Sequence, residues 1–134
     1  MDLFDKFDSK YTALVLRIGL ALLFLYFGFS QISDPVSWSG FVPTFVSDVL
    51  PFPVENFVLA NGALELLLVL LLIVGFQTRI VALLAAGHMA GIVFGLGFSA
   101  IAVRDFMTMV SCIALFFAAK VNPLSLDEKV QKSS

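Results

Sequence analysis

The sequence has a single cysteine, Cys112, and this scarcity excludes several kinds of chemistry. One thiol cannot form an intramolecular disulfide, a Cys-x-x-Cys redox pair or a structural zinc site. A membrane thiol oxidoreductase that works through its own dithiol is therefore excluded. Cys112 lies about halfway along an apolar segment, so we interpret it as a small packing residue. No metal site is expected.

Charged residues are also scarce, and this sets the class of protein. Only 13% of the 134 residues are charged and 60% are hydrophobic, and the mean hydropathy is +1.01. Such a composition is too apolar for a soluble domain and is typical of an integral membrane protein. We expect contact with a lipid bilayer and no nucleic-acid partner.

Four apolar segments predict four transmembrane helices. Each has about the 20 residues that are needed to cross roughly 30 Å of hydrocarbon. Helices are expected because backbone groups in lipid must bond within their own segment. The predicted fold is an all-α integral membrane bundle of four up-and-down helices, one domain over residues 1–120, with a short cytoplasmic tail over 121–134. The spans run approximately over residues 12–32, 57–75, 79–99 and 103–119.

The distribution of Lys and Arg predicts the orientation. The first span is too long for a cleaved signal peptide and has no cleavage site, so we interpret it as an anchor. Arg104 lies at one end of the predicted bundle, and the cations at the other end are Lys6, Lys10, Arg79, Lys120, Lys129 and Lys132. By the positive-inside rule, both termini are predicted to be cytoplasmic in a prokaryotic-type plasma membrane.

The connection between the first two spans predicts an interfacial cap. Residues 33–55 contain four prolines and no Lys or Arg. Apolar residues recur at helical spacing from Trp38 to Leu50, which is typical of a segment that lies in the membrane interface. Pro43 must break or start a helix, so we expect two short helical pieces. The pattern leaves open whether they form a plain anchor or a functional lid.

Glu65 lies in the middle of the second span and is the most informative residue. A carboxyl group at the bilayer centre costs roughly 3 kcal/mol on insertion scales, so it must face a partner or a polar cavity. The helical rise places His88 of the third span at nearly the same depth. Arg17 of the first span lies within reach of Glu65 if their faces agree. Asn61 is one turn from Glu65 on the same face.

Three more polar side chains are predicted near the outer end of the bundle. Gln31 lies at the outer end of one face of the first helix. Arg104 and Asp105 begin the fourth span, where the positive end of the helix dipole favours the Asp105 carboxylate. The sequence thus predicts one group of polar side chains inside the bundle, which is hydrated at its outer end and buried at Glu65. The candidates for ligand binding or proton handling are Arg17, Gln31, Asn61, Glu65, His88, Arg104 and Asp105.

Structural alternatives remain open for several candidates. An ion pair between Arg17 and Glu65 could serve only to tie two helices together. His88 could be a neutral histidine that is hydrogen-bonded between helices. Arg104 could have no role beyond placing its charge at the membrane interface.

Two further patterns are interpreted structurally. Gly87, Gly91 and Gly95 form two overlapping G-x-x-x-G steps, which favour close helix packing over a dimer face or a ligand clamp. Ser125 and Glu128 stand at capping-box spacing, which predicts a short soluble helix in the tail.

Short motifs with a recognisable order occur in all four spans. They are Leu16-Arg17-Ile18-Gly19 with Phe24, Gly28 and Gln31, then Asn61-Gly62-x-x-Glu65, Gly75-Phe-Gln-Thr78-Arg79, His88-Met89 and Arg104-Asp105-Phe106. These motifs resemble those of the DoxX family, whose members are small four-helix membrane proteins. The resemblance implies a lysine where Gln31 stands, and its loss weakens an anion-binding role at the outer end.

The resemblance implies a role beside an oxidoreductase. Some members are subunits of thiosulfate:quinone oxidoreductase or quinol-oxidase systems, and others assist oxidative-stress and sulfur-transfer complexes. We expect an accessory subunit rather than a catalyst on its own. This subunit would hold a quinone or similar apolar ligand beneath the outer loop and would work with a soluble or membrane redox partner. Glu65 and His88 would handle the proton, and Arg17 would set the charge state of Glu65.

Other functions stay open at this level. The sequence has no haem axial pair, iron–sulfur motif or nucleotide-binding loop, so no cofactor is built in. A non-catalytic membrane anchor or assembly protein is the main alternative. A small-solute or proton-coupled carrier is disfavoured because four helices without a broken span leave little room for alternating access. A homo-oligomer is compatible with all three.

Overall fold

Four long helices dominate the computed structural model, which describes the backbone of residues 3–133 and the side chains of residues 11–130, 132 and 133. No strand occurs in this part of the chain. The long helices are α1 (Leu3–Ser33), α4 (Val54–Val74), α5 (Thr78–Leu96) and α6 (Ala100–Ala118). The short helices are α2 (Pro35–Ser39) and α3 (Thr44–Ser47), which connect α1 to α4, and α7 (Leu126–Ser133) in the tail.

All four long helices are long and apolar enough to cross a membrane. The spanning part of α1 is Tyr11–Ser33, and the other three qualify over their full length. The predicted spans agree with these bounds to within three residues, and the predicted all-α four-span bundle with a helical loop is confirmed. The protein is a multi-pass membrane protein.

The turn between α5 and α6 explains two of the three bounds that differ by three residues. Gly97 has φ 61° and ψ −155°, a backbone conformation that residues other than glycine rarely adopt. This conformation ends α5 at Leu96. The hydroxyl of Ser99 then accepts a hydrogen bond from the Ala102 amide and caps α6. Apolar residues continue through this turn, so hydropathy alone places both boundaries about three residues late.

Two glycines set the crossing of α1 and α4. A Cβ atom placed on Gly28 would lie 2.9 Å from the carbonyl oxygen of Gly62, and one on Gly62 would lie 2.9 Å from that of Gly28. Small residues allow this close approach between transmembrane helices. The crossing brings Gln31 on α1 beside Glu65 on α4.

The bundle has two distinct ends. The loop end carries α2, α3 and the α5–α6 turn, whereas the terminal end carries the α4–α5 turn and the tail. Between the terminal end and Glu65 lies a core of fully or almost fully buried apolar side chains from all four helices. It includes Leu20, Phe24, Leu68, Leu72, Ala82, Ala85, Cys112 and Leu115.

The interpretation of the α5 glycines as close-packing residues is wrong for two of them. A Cβ atom on Gly87 or Gly91 would meet no atom within 4 Å. Only Gly95 is tightly packed, since its Cβ would lie 2.8 Å from Cγ of Pro43 in the loop. The physical reason is that α5 packs mainly on α6 and only sparsely on α4. The first two glycines therefore border open space.

The tail packs onto the terminal end of the bundle. The short helix predicted there forms as α7, and the hydroxyl of Ser125 accepts a hydrogen bond from the Glu128 amide at 3.1 Å. Ser125 and Asn122 are buried, however, and the Asp127 amide donates to the Gly75 carbonyl at 3.1 Å. The sequence interpretation did not include this contact between the tail and the bundle.

Candidate functional site

A buried polar cluster surrounds Glu65, which is only 2% exposed. Nε2 of Gln31 donates to Oε2 of Glu65 at 3.1 Å, and Nδ2 of Asn61 donates to Oε1 at 3.2 Å. Nδ2 of Asn61 also donates to Oε1 of Gln31 at 2.7 Å, which closes a triangle of three side chains. Nε2 of His88 lies 3.5 Å from Oε1 of Glu65. The carboxyl group thus accepts hydrogen bonds from amides of two helices and faces the imidazole of a third.

The local sequence explains why these four side chains meet. Asn61 and Glu65 are four residues apart on α4 and share one face. The glycine crossing at Gly28 brings α1 close enough for Gln31 to reach both of them. His88 comes from α5 at the depth that the helical rise predicts.

A cavity of about 460 Å³ lies above this cluster toward the loop end. Ligand pockets commonly have volumes of 300–1,000 Å³ and mostly apolar walls with a few polar groups. All four long helices and the loop contribute to its lining, and the polar residues in it are few. The aromatic wall residues are Phe24, Phe27, Trp38, Phe41, Phe45, Phe57 and Phe94, and the polar ones are Gln31, Asn61, Glu65, His88, Arg104 and Asp105.

The loop covers the cavity with its aromatic side chains. The indole nitrogen of Trp38 donates to the hydroxyl of Ser30 at 3.0 Å, which ties α2 to the end of α1. The Trp38 ring also packs edge-to-face on Phe27, with centroids 5.8 Å apart. Pro43 precedes α3, as its fixed φ angle predicts, and it contacts Gly95 on α5. The loop therefore rests on both α1 and α5.

Arg104 and Asp105 form a second polar group in the cavity wall. Nη2 of Arg104 lies 2.7 Å from Oδ1 of Asp105, and the guanidinium stacks over the Phe27 ring at 4.2 Å from its centroid. Asp105 is buried, whereas the Arg104 side chain is 41% exposed. This group lies in the first turns of α6, nearer to the loop end than Glu65 is.

The predicted pairing of Arg17 with Glu65 is wrong. Nη1 of Arg17 donates to Oδ1 of Asn122 at 2.7 Å, and Nη2 donates to the Leu124 carbonyl at 2.8 Å, both in the tail. Side chains lean toward the N-terminus of their helix. Because α1 and α4 are antiparallel, Arg17 leans toward the terminal end and Glu65 toward the loop end. Arg17 is thus separated from the other site candidates.

Arg17, Thr78, Asn122 and Asp127 form what we call the terminal network. Nδ2 of Asn122 donates to the hydroxyl of Thr78 at 2.7 Å. The carboxylate of Asp127 accepts from the backbone amides of Gln77 at 2.7 Å and Thr78 at 2.8 Å, so it caps the start of α5. Nε of Arg17 is buried without a hydrogen-bond partner among the described residues.

Sequence reasoning missed the tail residues of this network. One signal could have indicated them. The residue at the N-cap of α5 is Gln77, whose side chain forms no capping hydrogen bond. The first amides of a helix need an acceptor from a side chain or from water. Asp127 supplies it.

The family model for DoxX matches residues 12–97, which is well over half of the chain. The chain belongs to the DoxX family. No curated protein and no solved structure matches it. The matched segment contains Gln31, Asn61, Glu65 and His88, whereas α6 and the tail lie beyond it. The polar cluster at Glu65 thus falls inside the DoxX segment of this protein.

The cavity of this DoxX protein combines mostly apolar walls with a few polar and charged side chains. Among the side chains of residues 11–130, 132 and 133, no group of three or more His, Cys, Asp or Glu is arranged to hold a metal ion. What the cavity offers is a mostly apolar volume, with one acid–base pair at its deep end and an arginine–aspartate pair nearer the loop end.

Proposed function

We propose that this DoxX protein is an accessory subunit of a membrane-associated oxidoreductase system and binds a quinone or quinol in the loop-end cavity. The observation that carries this proposal is the position of Glu65 and His88 at the deep end of a mostly apolar cavity. A quinone has an apolar body and ring oxygens that accept hydrogen bonds, and its quinol form releases protons. The cavity matches both parts of such a molecule.

The walls support an aromatic ligand. Phe24, Phe27 and Trp38 face the same volume from α1 and α2, so a flat ring can stack or pack edge-on against them. The volume of about 460 Å³ is in the range of pockets that hold small organic molecules. An isoprenoid chain would not fit entirely inside and would have to leave the bundle.

Two glycines provide such an exit. Gly87 and Gly91 line the cavity, are exposed, and have no atom within 4 Å of an added Cβ. They lie roughly 14 and 20 Å along α5 from its start at the terminal end, at the depth of the hydrocarbon. The cavity therefore opens laterally to lipid, which is the route that a membrane-dissolved ligand needs.

The acid–base pair supplies the proton chemistry. His88, whose side chain is 14% exposed, can hydrogen-bond a ring oxygen through its ring nitrogens. Glu65 would receive the proton of a quinol hydroxyl directly or through His88, while Gln31 and Asn61 hold its carboxylate in place. Electrons would pass between the ligand and a soluble or membrane redox partner.

The only tryptophan of the chain provides the test, because Trp38 lines the cavity and quinones quench indole fluorescence. The protein in lipid nanodiscs is titrated with a short-chain ubiquinone or menaquinone analogue. Wild type should show saturable quenching. Glu65→Gln removes the carboxyl partner of His88, whose ring nitrogen lies 3.5 Å from it and would hydrogen-bond the ring oxygen. Loss of one hydrogen bond of about 0.5–1.5 kcal/mol should raise the dissociation constant about 2- to 10-fold.

A matched control separates binding from collisional quenching. Glu55→Gln changes a carboxyl group ten residues earlier on the same helix, outside the cavity lining, and should bind like wild type. Linear, non-saturating quenching that is equal in all three proteins would contradict the proposal.

A second candidate is a non-catalytic anchor or assembly protein. One observation favours it: both carboxylate oxygens of Glu65 find donors inside the protein, so the residue is satisfied without any ligand. In that case Glu65→Gln would lower thermal stability and abundance, and the specific activity of a copurifying enzyme would stay unchanged. Saturable quinone binding would rule against this candidate.

We also infer a prokaryotic plasma membrane location with the terminal end in the cytoplasm. Arg79 and Lys120 lie at the terminal end, whereas Arg104 is the cation of the loop end. A C-terminal alkaline phosphatase fusion should be inactive and a C-terminal fluorescent protein fusion bright in bacterial cells. An active phosphatase fusion would place the terminal end outside.

A further inference from the structure

We propose that Glu65 exchanges protons only with the loop side of the membrane, through the cavity, and that the terminal side is closed to it. This inference rests on the proposed function only in taking Glu65 as the proton-handling group. The two sides of Glu65 differ: a cavity with polar side chains lies toward the loop end, and an apolar core lies toward the terminal end.

Toward the loop end, polar groups and space lead away from Glu65. The helical rise places Asp105 about 8 Å from the start of α6 and Glu65 about 16 Å from the start of α4, both measured from the loop end. Asp105 is therefore nearer to the loop end than Glu65. Both carboxylates line the same cavity, and so does Arg104, whose side chain is 41% exposed. At about 30 Å³ per molecule, 460 Å³ has room for a chain of waters.

Toward the terminal end, the interior is apolar and closely packed. Leu20, Phe24, Leu72 and Leu115 are each at most 5% exposed and come from three helices. Glu65 and Gly75 are ten residues apart, so about 15 Å of α4 separates the carboxyl from the terminal network. Protons do not cross such a layer without polar groups or water, so it isolates Glu65 from that side.

The charged groups around Glu65 agree with this asymmetry. His88 of α5 is within 3.5 Å of it, and Arg104 and Asp105 of α6 share its cavity. Arg17, the charged residue of the spanning part of α1, points into the terminal network instead. Among the described side chains, the titratable groups found near this carboxyl thus line the cavity.

Lipophilic carbodiimide labelling tests the sidedness without any quinone. A carbodiimide crosses membranes and adds to a carboxyl group only in its protonated form, so the labelling rate of Glu65 reports its proton occupancy. The wild-type protein is reconstituted with the loop end outward. Vesicles of the opposite orientation are detected by trypsin cleavage at Lys129 and Lys132 of the tail. The pH is then changed on one side at a time, and a trapped dye verifies the other side.

The labelling of the Glu65 peptide is measured by mass spectrometry, and Glu65→Gln identifies the signal. Because only the protonated form is labelled, labelling should fall as the loop-side pH rises, by up to about tenfold for each pH unit. A change of pH on the terminal side should leave it unaltered. Labelling that follows the terminal-side pH, or both sides equally, would overturn the inference. An absence of labelling at every pH where the protein is folded would also overturn it, because Glu65 would then take up no proton.

This test can fail independently of the proposed function. Quinone binding without one-sided labelling would retain the ligand and reject the route. One-sided labelling without quinone binding would retain the route and reject the ligand class.

Discussion

Replacing Gly28 by alanine should separate α1 from α4, and the cost can be derived from the structure. The new Cβ would lie 2.9 Å from the Gly62 carbonyl oxygen and 3.1 Å from Cβ of Glu65, whereas ordinary contacts begin at 3.4 Å. The helices must therefore move apart by about 0.5 Å at the point where Gln31 bonds to Glu65. Overpacking of this kind costs about 1–3 kcal/mol.

Gly19→Ala is the matched control on the same helix. A Cβ on Gly19 would meet no atom within 4 Å. Both variants gain the same helix propensity, about 0.5–1 kcal/mol relative to glycine, so the difference between them isolates the crossing. We expect Gly28→Ala to be less stable than Gly19→Ala by about 1–3 kcal/mol, which is about 5- to 150-fold in the unfolding equilibrium constant.

The assay is equilibrium unfolding in mixed micelles, in which the denaturing detergent fraction is raised and helix content is followed by circular dichroism. Trp38 fluorescence provides a second probe near the crossing. Equal stability of the two alanine variants would refute the reasoning, because it would mean that α1 and α4 do not approach closely at Gly28.

Three further predictions follow from single contacts. Asp127→Ala removes the carboxylate that caps α5 and should lower the unfolding free energy by about 0.5–2 kcal/mol in the same assay. Cys112 is fully buried in the core, so a thiol reagent should label it only after unfolding, as intact-mass measurement would show. The hydrogen bonds from Ser37 lower the pKa of Asp34 below its ordinary value of 3.8. The cap of α2 should therefore persist at neutral pH and be lost as the pH falls through that lowered pKa, which a carboxyl NMR titration would follow.

Different results would contradict each of these. A tail that is not docked would leave the Asp127→Ala protein as stable as wild type. Rapid labelling of Cys112 in the folded protein would mean that the core is open. An Asp34 pKa at or above the ordinary value would mean that Ser37 does not bond to it.

Hydropathy and helix geometry predict much of this molecule. Four apolar segments of about 20 residues have few alternatives in a membrane, so the bundle follows from composition. The meeting of Asn61, Glu65 and His88 follows from helical spacing and rise, since these set the depth and face of each side chain. Pro43 likewise predicts the break between the two loop helices.

Two features were not predictable from depth alone. Arg17 has a long side chain that can reach toward either end of its helix. Depth alone does not include the lean of side chains toward the helix N-terminus, which directs Arg17 to the terminal end. Gly87 and Gly91 stand at the spacing of a helix-packing motif, but this spacing does not determine whether a neighbouring helix packs against them. Because α5 packs sparsely on α4, these glycines border the cavity instead.

Contacts of the tail depend on the tertiary arrangement. Asp127 caps a helix that starts 49 residues earlier in the chain at Thr78. Local patterns predict α7 but not which end of the bundle it meets. The amides of Gln77 and Thr78 at the start of α5 needed an acceptor, and this need was the physical signal for Asp127.

The most direct test of the central claim is native mass spectrometry of the protein released from its own membrane, with analysis of the extracted small molecules. Gly91→Leu places a bulky side chain at the lateral opening of the cavity, and Gly19→Leu places the same side chain on the open outer face of α1. We predict one bound quinone per chain in wild type and in Gly19→Leu, and its loss in Gly91→Leu. Equal quinone content in all three proteins, or none in wild type, would contradict the assignment of the cavity as a quinone site.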